Sequence, residues 1–284
     1  MKIAFLGPEG SYSHLAAKAF LETEATAIKM VGEWDECIPF RNFSEVLAAV
    51  STGKVHAAAL PIENSIQGGV SQNLDLLQMM ENVYAVKGYI LPIEHHLVYK
   101  EGMKLSEIGR VYSHRQALDQ CLEYLDKELP FASLRETEST AFGLSKAMED
   151  ESGKSAAIAG ANGARLRKGF VMGKECISDE KNNVTQFLLV KKGVENLPAH
   201  SDLVFISAAC PHRKGSLVQL LQIISDYGVN MTKIESRPVK NRPGDFRFFI
   251  EMECDIGDSK VKEMLGAIRE NTLECKLLGA YNRG

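Results

Sequence analysis

Several things are scarce in this sequence. No apolar run approaches the roughly 18 residues of a membrane-spanning helix. At the N-terminus the apolar stretch Ile3–Leu6 stops well short of the roughly 7–15 residues of a secretory core. The expectation is therefore a soluble, cytoplasmic protein. Neither sign of charge dominates: 33 basic and 37 acidic residues leave a formal charge of −4. No positive field is available to attract phosphate backbones, so nucleic acid and membrane are not expected partners. The six cysteines (37, 121, 176, 210, 254 and 275) include no C-x-x-C pair, which argues against a zinc site or a compact disulfide framework. They read as reduced thiols. Gly7-x-x-Gly10 lacks the third glycine of a dinucleotide loop, and His95-His96 would point to opposite faces of a strand, so neither cofactor nor metal is expected.

What is present is an ordinary globular composition, 45% apolar and 25% charged, in 284 residues. At roughly 150 residues per domain, two folding units are expected. The strand Lys2–Leu6 runs through Gly7–Ser11 into a helix over His14–Leu21. Ser44 is a candidate N-cap for Glu45–Ser51, and Val55–Leu60 is the next strand. Pro61–Gly69 reads as a polar loop before a helix at Val70–Met80, and Val83–Tyr99 as extended chain crossing to a second lobe. There Arg110–Tyr112, the helices Ala117–Leu125 and Ser139–Glu149, the strand Ala156–Ala159 and the helix Asn162–Arg167 follow, before a return strand at Thr185–Val190. Alternating strands and helices imply helix-covered parallel sheets, with loops converging on a cleft between two α/β lobes. Lys191–Ser201 has the composition of a linker. Beyond it lie strand, helix, strand, strand, helix, strand, the βαββαβ ferredoxin-like order. In this part Phe246–Cys254 alternates with the period of a half-buried strand.

Five segments in this order resemble the prephenate dehydratase family: Gly7–Ser13, Pro61–Ser65, Ser113–Leu118, Asn183–Phe187 and Ile234–Pro238. The resemblance implies an α/β fold with a catalytic region shaped like a two-lobed periplasmic binding protein at 1–192, its second lobe at about 82–172. It also implies a ferredoxin-like ACT regulatory domain at 201–281. With Met1 already in the first strand, no chorismate mutase segment is expected in front. The implied activity is decarboxylating dehydration of prephenate to phenylpyruvate, a carbon–oxygen lyase reaction of phenylalanine biosynthesis that uses no cofactor. The implied partners are prephenate, L-phenylalanine as allosteric effector, and further copies of the chain in a homodimer or homotetramer. Two alternatives remain open: an arogenate dehydratase, and a non-catalytic amino-acid-sensing binding protein.

By the same resemblance Thr185 is the catalytic residue, its hydroxyl donating to the leaving oxygen. Ser11, Tyr12, Ser13, Asn64, Ser65, Ser113, His114, Gln186 and Phe187 are the expected substrate-binding residues, with Glu63 a possible acid. Ser11 or Ser13 at a helix start also reads simply as a cap. Gln186 stands where the family usually has Arg, exchanging a bidentate cation for a neutral amide. The expected L-phenylalanine site comprises Gly215, Ser216, Leu217, Val218, Asn230, Glu235, Ser236, Arg237 and Pro238. There, helix N–H groups would take the carboxylate and Glu235 or carbonyls the ammonium.

Overall fold

The computed structural model describes residues 1–28, 36–161, 163, 169–173, 175–239, 242 and 244–283. The first lobe is a mixed sheet in the order β5 (Val83–Pro92), β11 (Val184–Lys192), β3 (Ala57–Asn64), β1 (Lys2–Leu6), β2 (Glu36–Phe40). β1 runs parallel to β2 and β3, whereas β11 returns antiparallel to both β3 and β5. Helices cover both faces. Helix α1 (Tyr12–Ile28) sets Ala16, Ala17 and Phe20 against Ile3, Phe5 and Phe187. On the other face α2 (Phe43–Ser51) and α3 (Ser71–Met79) pack Leu47, Val50, Leu74 and Leu77 with Ala4, Leu60 and Leu188. Burial on both sides is why these strands read as continuous apolar runs.

The second lobe is a sheet in the order β10 (Phe170–Met172), β6 (His96–Lys100), β9 (Ser155–Ala159), β7 (Arg110–His114), β8 (Ser133–Thr137). It carries α4 (Arg115–Asp119), α5 (Leu122–Glu128) and α6 (Thr140–Glu149). The second lobe starts later than the expected residue 82. β5 pairs with β11 along nearly its whole length in the first sheet, so the chain crosses at Ile93–His95.

Four local expectations change. Asn42, not Ser44, caps α2, its Oδ1 accepting from Glu45 N at 2.8 Å. Pro61–Asn64 is strand rather than loop, because β11 pairs alongside it and the two-residue strand β4 (Gly68–Gly69) folds back on it. The single helix over Ala117–Leu125 is broken at Gln120–Cys121, where the Gln120 carbonyl accepts from Asp179 N outside the helix. β2, β8 and β10 are edge or short strands whose mixed polarity gave no period to read. The helix expected over Asn162–Arg167 lies, apart from Gly163, outside the described residues.

The C-terminal unit comprises β12 (Leu203–Cys210), α7 (Ser216–Asp226), β13 (Asn230–Pro238), β14 (Phe246–Glu253), α8 (Ser259–Asn271) and β15 (Glu274–Tyr281), its sheet ordered β13-β14-β12-β15. This is the βαββαβ arrangement. One sheet face, with Val204, Ile206, Ile250 and Met252, packs on α7 and α8. The other, with Leu203, Phe205, Phe249, Leu278 and Tyr281, packs on the first lobe. β14 is thus buried on both faces over Phe248–Met252, not half-buried as its alternation suggested. Burying side chains of this size contributes about 1.5–3 kcal/mol each, so the two units form one continuous body of packing. The sheets also meet edge to edge where Gly279 pairs with Ala85. Lys276 reaches across to the C-terminal end of α3, donating to the carbonyls of Leu77 (3.1 Å), Gln78 (2.7 Å) and Met80 (2.6 Å). The last-turn carbonyls of a helix have no partner within it, and a lysine satisfies them while complementing the helix dipole.

Candidate active site

A cavity of 310 Å³ opens between the two lobes. Its walls are unusual in what they present. Tyr12 and Ser13 open α1, Phe43 opens α2, Val70 is the residue before α3, and Ser139 and Thr140 begin α6; the short α4 adds His114 and Gln116. Helix N-termini carry partial positive charge and free N–H groups, so helices from both lobes aim anion-binding ends at one space. Among the described lining residues there is no lysine or arginine and one carboxylate, Glu138. Among the described residues, what the cavity offers an anion is dipoles and hydrogen-bond donors.

At the floor, β3 and β11 place Asn64 opposite Thr185. Asn64 is buried, and its amide nitrogen donates to Thr185 Oγ1 at 3.0 Å, Asn183 Oδ1 at 2.6 Å and Val184 O at 3.1 Å. Its Oδ1 is in turn fixed by the backbone N–H groups of Ile66 and Gln67, both at 3.1 Å. The amide cannot turn over without losing all of these. Because Thr185 Oγ1 accepts from Asn64, its own hydrogen is free to donate into the cavity. A bulge between Gln186 and Phe187 follows directly, and such irregularities re-aim side chains beside active sites.

Further polar groups stand behind this pair. Asn183 donates to Gln120 Oε1 at 3.2 Å, and the same oxygen lies 3.0 Å from His95 Nε2. An amide oxygen only accepts, so His95 carries its proton on Nε2, and burial lowers its pKa and keeps the ring neutral. Tyr12 donates to the Glu94 carbonyl at 2.5 Å, and burial pushes its pKa up, so it stays a phenol. Its ring also lies where a side chain at Gly160 would stand, 2.9 Å from the phenol oxygen, which ties the first lobe to the second at a position open only to glycine.

The expected substrate residues divide. Tyr12, Ser13, Asn64, His114, Thr185 and Phe187 line the cavity together. Ser11 instead caps α1, donating to Leu6 O at 3.1 Å and accepting from His14 N at 3.3 Å. Ser65 bridges to Asn182 and Val184, and fully buried Ser113 donates to Ile158 O at 2.8 Å. Gln186 and Glu63 depart furthest from expectation. Alternation along a strand turns the neighbours of Thr185 and Asn64 to the opposite face, so Gln186 donates to Glu251 (3.3 Å) and Glu63 pairs with Lys233 (2.8 Å), both in the C-terminal unit. Sequence reasoning missed His95, Gln116, Ser139 and Thr140. The signal for the last two was Ser139 as N-cap of an amphipathic helix. His95 was considered only as half of a metal pair; it and His96 bond to different partners, Gln120 and Glu175 O. Among the described residues no group of three or more His, Cys, Asp or Glu is placed to hold a metal ion.

In the C-terminal unit Gly215 takes φ +83° before α7, Ser216 donates to Arg213 O, Leu217 packs in the helix-side core and Val218 is exposed. Asn230 donates to Glu253 at 2.6 Å. Ser236 and Pro238 are exposed on β13, whereas Glu235 accepts from Ser71 (2.8 Å) and Arg237 pairs with Asp75 (3.0 Å), so both charged side chains engage α3.

Comparison with known proteins agrees with this division. The prephenate dehydratase family profile matches residues 3–195, and the ACT domain profile residues 204–270. A bifunctional chorismate mutase/prephenate dehydratase of Neisseria gonorrhoeae is 33% identical over 281 residues, covering 99% of this chain and 74% of the relative. A prephenate dehydratase of Amycolatopsis methanolica is 30% identical over 285 residues, covering 99% and 88%. The crystal structure of a prephenate dehydratase from Arthrobacter aurescens in complex with L-Phe superposes with a TM-score of 0.85 at 30% identity, covering 100% of this chain and 90% of that one.

Proposed function

The chain belongs to the prephenate dehydratase family, and from that premise we propose how its interlobe cavity turns prephenate into phenylpyruvate. Prephenate is a dianion with a carboxylate and a hydroxyl at opposite ends of a dihydro ring. In the reaction the ring–carboxylate bond breaks and its electrons enter the ring as carbon dioxide departs. The ring C–O bond breaks in turn, and its electrons leave with oxygen, which takes up one proton to become water. The aromatic ring that forms supplies the driving force.

The chain then has three tasks, and its residues suit each. The converging N-termini of α1 and α6, with Ser13, Ser139 and Thr140, hold the carboxylates through helix dipoles and hydroxyl donors. The Thr185 hydroxyl, with Asn64 donating to its oxygen, donates to the departing oxygen. Threonine is a feeble acid, so its role is to stabilise developing charge; one well-aimed donor of this kind is worth about 10²–10³ in rate. Phe187, Phe43 and Ile93 keep the ring's surroundings apolar. The observation that carries this reading is the 3.0 Å bond from Asn64 to Thr185, which leaves the threonine proton free to donate to a substrate in the cavity that Thr185 lines.

The ACT domain is an amino-acid-sensing module, and its effector here is L-phenylalanine, the ligand in the Arthrobacter structure. The edge strand β13, with Ile234 exposed on it and Phe246 exposed on the adjoining β14, suits pairing with a second copy in a homodimer or homotetramer. The test is formation of phenylpyruvate by the purified chain from prephenate, and of phenylalanine from arogenate, with and without L-phenylalanine. Turnover of prephenate that falls as L-phenylalanine is added is expected. Saturable prephenate binding without turnover would instead make this an amino-acid sensor.

A further inference from the structure

Two neighbouring rungs of the first-lobe sheet face opposite ways. Asn64 and Thr185 are register partners and face the cavity. Glu63 and Gln186, the adjacent partners, face the regulatory sheet. The two residues that meet them, Lys233 on β13 and Glu251 on β14, are themselves register partners. Lys233 Nζ lies 2.8 Å from Glu63 Oε2, and Gln186 Nε2 lies 3.3 Å from Glu251 Oε2. Rung is therefore tied to rung at both ends.

The tie crosses an interface whose apolar part is built from Leu188, Leu203, Phe205 and Phe249, beside the polar links from α3 to Glu235, Arg237 and Lys276. Lys233 is 9% exposed and Glu251 5%, so each depends on its partners. Glu251 also accepts from Thr232 Oγ1 at 2.5 Å and from the Tyr281 hydroxyl. Lys233 is buried while the Glu63 side chain is 40% exposed, so moving Glu63 away strands the Lys233 charge, and that cost favours the two sheets shifting together. A displacement of β13 is thereby passed to Glu63, and Glu63 is joined by one peptide bond to the residue that holds the Thr185 oxygen.

We propose that Lys233 is a positioning residue for the dehydration: through Glu63 it sets the rung that aims the Thr185 hydroxyl, with Gln186 and Glu251 as the second tie. This rests on the reading of Thr185 as the donor to the leaving oxygen. It also links a residue of β13, the strand that carries Glu235 and Arg237, to Thr185 through two hydrogen bonds and one peptide bond.

The experiment is steady-state kinetics of the full chain with prephenate for Lys233→Met, Glu63→Gln, their double variant and Lys233→Arg. Each single substitution should lower kcat about tenfold with KM within twofold, because the helix N-termini that hold the substrate are untouched. The double variant should be no worse than either single, and Lys233→Arg should recover to within threefold of the parent. A purely structural role would instead lower thermal stability without that kcat-against-KM split. Should Lys233→Met not fold, Glu63→Gln, at a half-exposed and isosteric position, gives the same readout. A parent chain that turns over prephenate alongside variants matching it within twofold, or variants changed only in KM, refutes the positioning role. A parent chain without turnover refutes the functional reading beneath it.

Discussion

Asn64→Asp exchanges an amide for a carboxylate of nearly the same shape and reverses the direction of one hydrogen bond. In the parent chain the Asn64 nitrogen donates to Thr185 Oγ1 at 3.0 Å, which leaves the Thr185 proton free to donate elsewhere. A carboxylate only accepts, so Thr185 must donate to residue 64 and has no proton left for the leaving oxygen. The fold should tolerate the change. Ile66 N and Gln67 N still find an acceptor at 3.1 Å, and Asn183, whose Oδ1 sits 2.6 Å from the present donor, can present its own amide nitrogen if Gln120 turns with it to donate through Nε2, so that the Val184 carbonyl alone loses its donor. Loss of one preorganised donor costs about 2.7–4 kcal/mol of transition-state stabilisation, so kcat should fall about 10²–10³-fold with little change in melting temperature.

Two features separate this account from simple damage. Residue 64 is 8% exposed, yet the Ile66 and Gln67 N–H groups, Thr185 and Asn183 would all donate to an aspartate placed there, which holds it ionised against the effect of burial. The carboxylate therefore keeps accepting from Thr185, and activity relative to the parent should stay low as pH is lowered from 8 to 5. The second feature is coupling: adding Asn64→Asp to Thr185→Ala should cost almost nothing further, because the bond it reverses is already gone. The assay is initial rates of phenylpyruvate formation from pH 5 to 8. An Asn64→Asp chain within threefold of the parent kcat at pH 8, or a double variant whose losses multiply, refutes the argument.

Other expectations follow from the same geometry. Thr185→Ala should lose about 10²–10³ in kcat at unchanged melting temperature, while Thr185→Ser, which keeps the hydroxyl, stays within about tenfold of the parent. Gln186→Arg should leave KM for prephenate within twofold, because the side chain meets Glu251 on the far face of the sheet; a KM lowered tenfold would show that residue 186 reaches the substrate. Gly279→Ala sets a methyl 2.5 Å from Ala85 Cβ and 2.7 Å from Ala85 N, contacts that only separation of β15 from β5 relieves. Overpacking of this kind costs about 1–3 kcal/mol and should appear in chemical denaturation as a lower midpoint with an unchanged slope. Burial lowers the pKa of His95 below its usual 6.5, so between those values the unfolded chain binds a proton that the folded chain does not. Stability should fall as pH drops through about 6.5, and His95→Gln should flatten that part of a stability–pH curve.

How much was legible in the residues follows from the range of the forces involved. Strand and helix periods, the Gly-rich turns and the βαββαβ order are local, and the order of elements along the chain was legible from them, though not that β5 belongs to the first sheet. The polar segments that resemble a known family likewise picked out Thr185, Asn64, Ser13 and His114, which the fold gathers at one cavity. What remained hidden depended on contacts between distant segments. β14 reads as half-buried because nothing in its own period reports that a second sheet covers its other face. Gln186 and Glu63 sit inside the family's segments, yet the two-residue repeat of a strand sends them away from their neighbours, and only the packed regulatory sheet reveals what they meet. His95 joins the site through Gln120 and Asn183, residues far apart in sequence. Local patterning chose the elements. The direction of each side chain, and so its chemistry, was decided by which surfaces were left to bury one another when those elements came together.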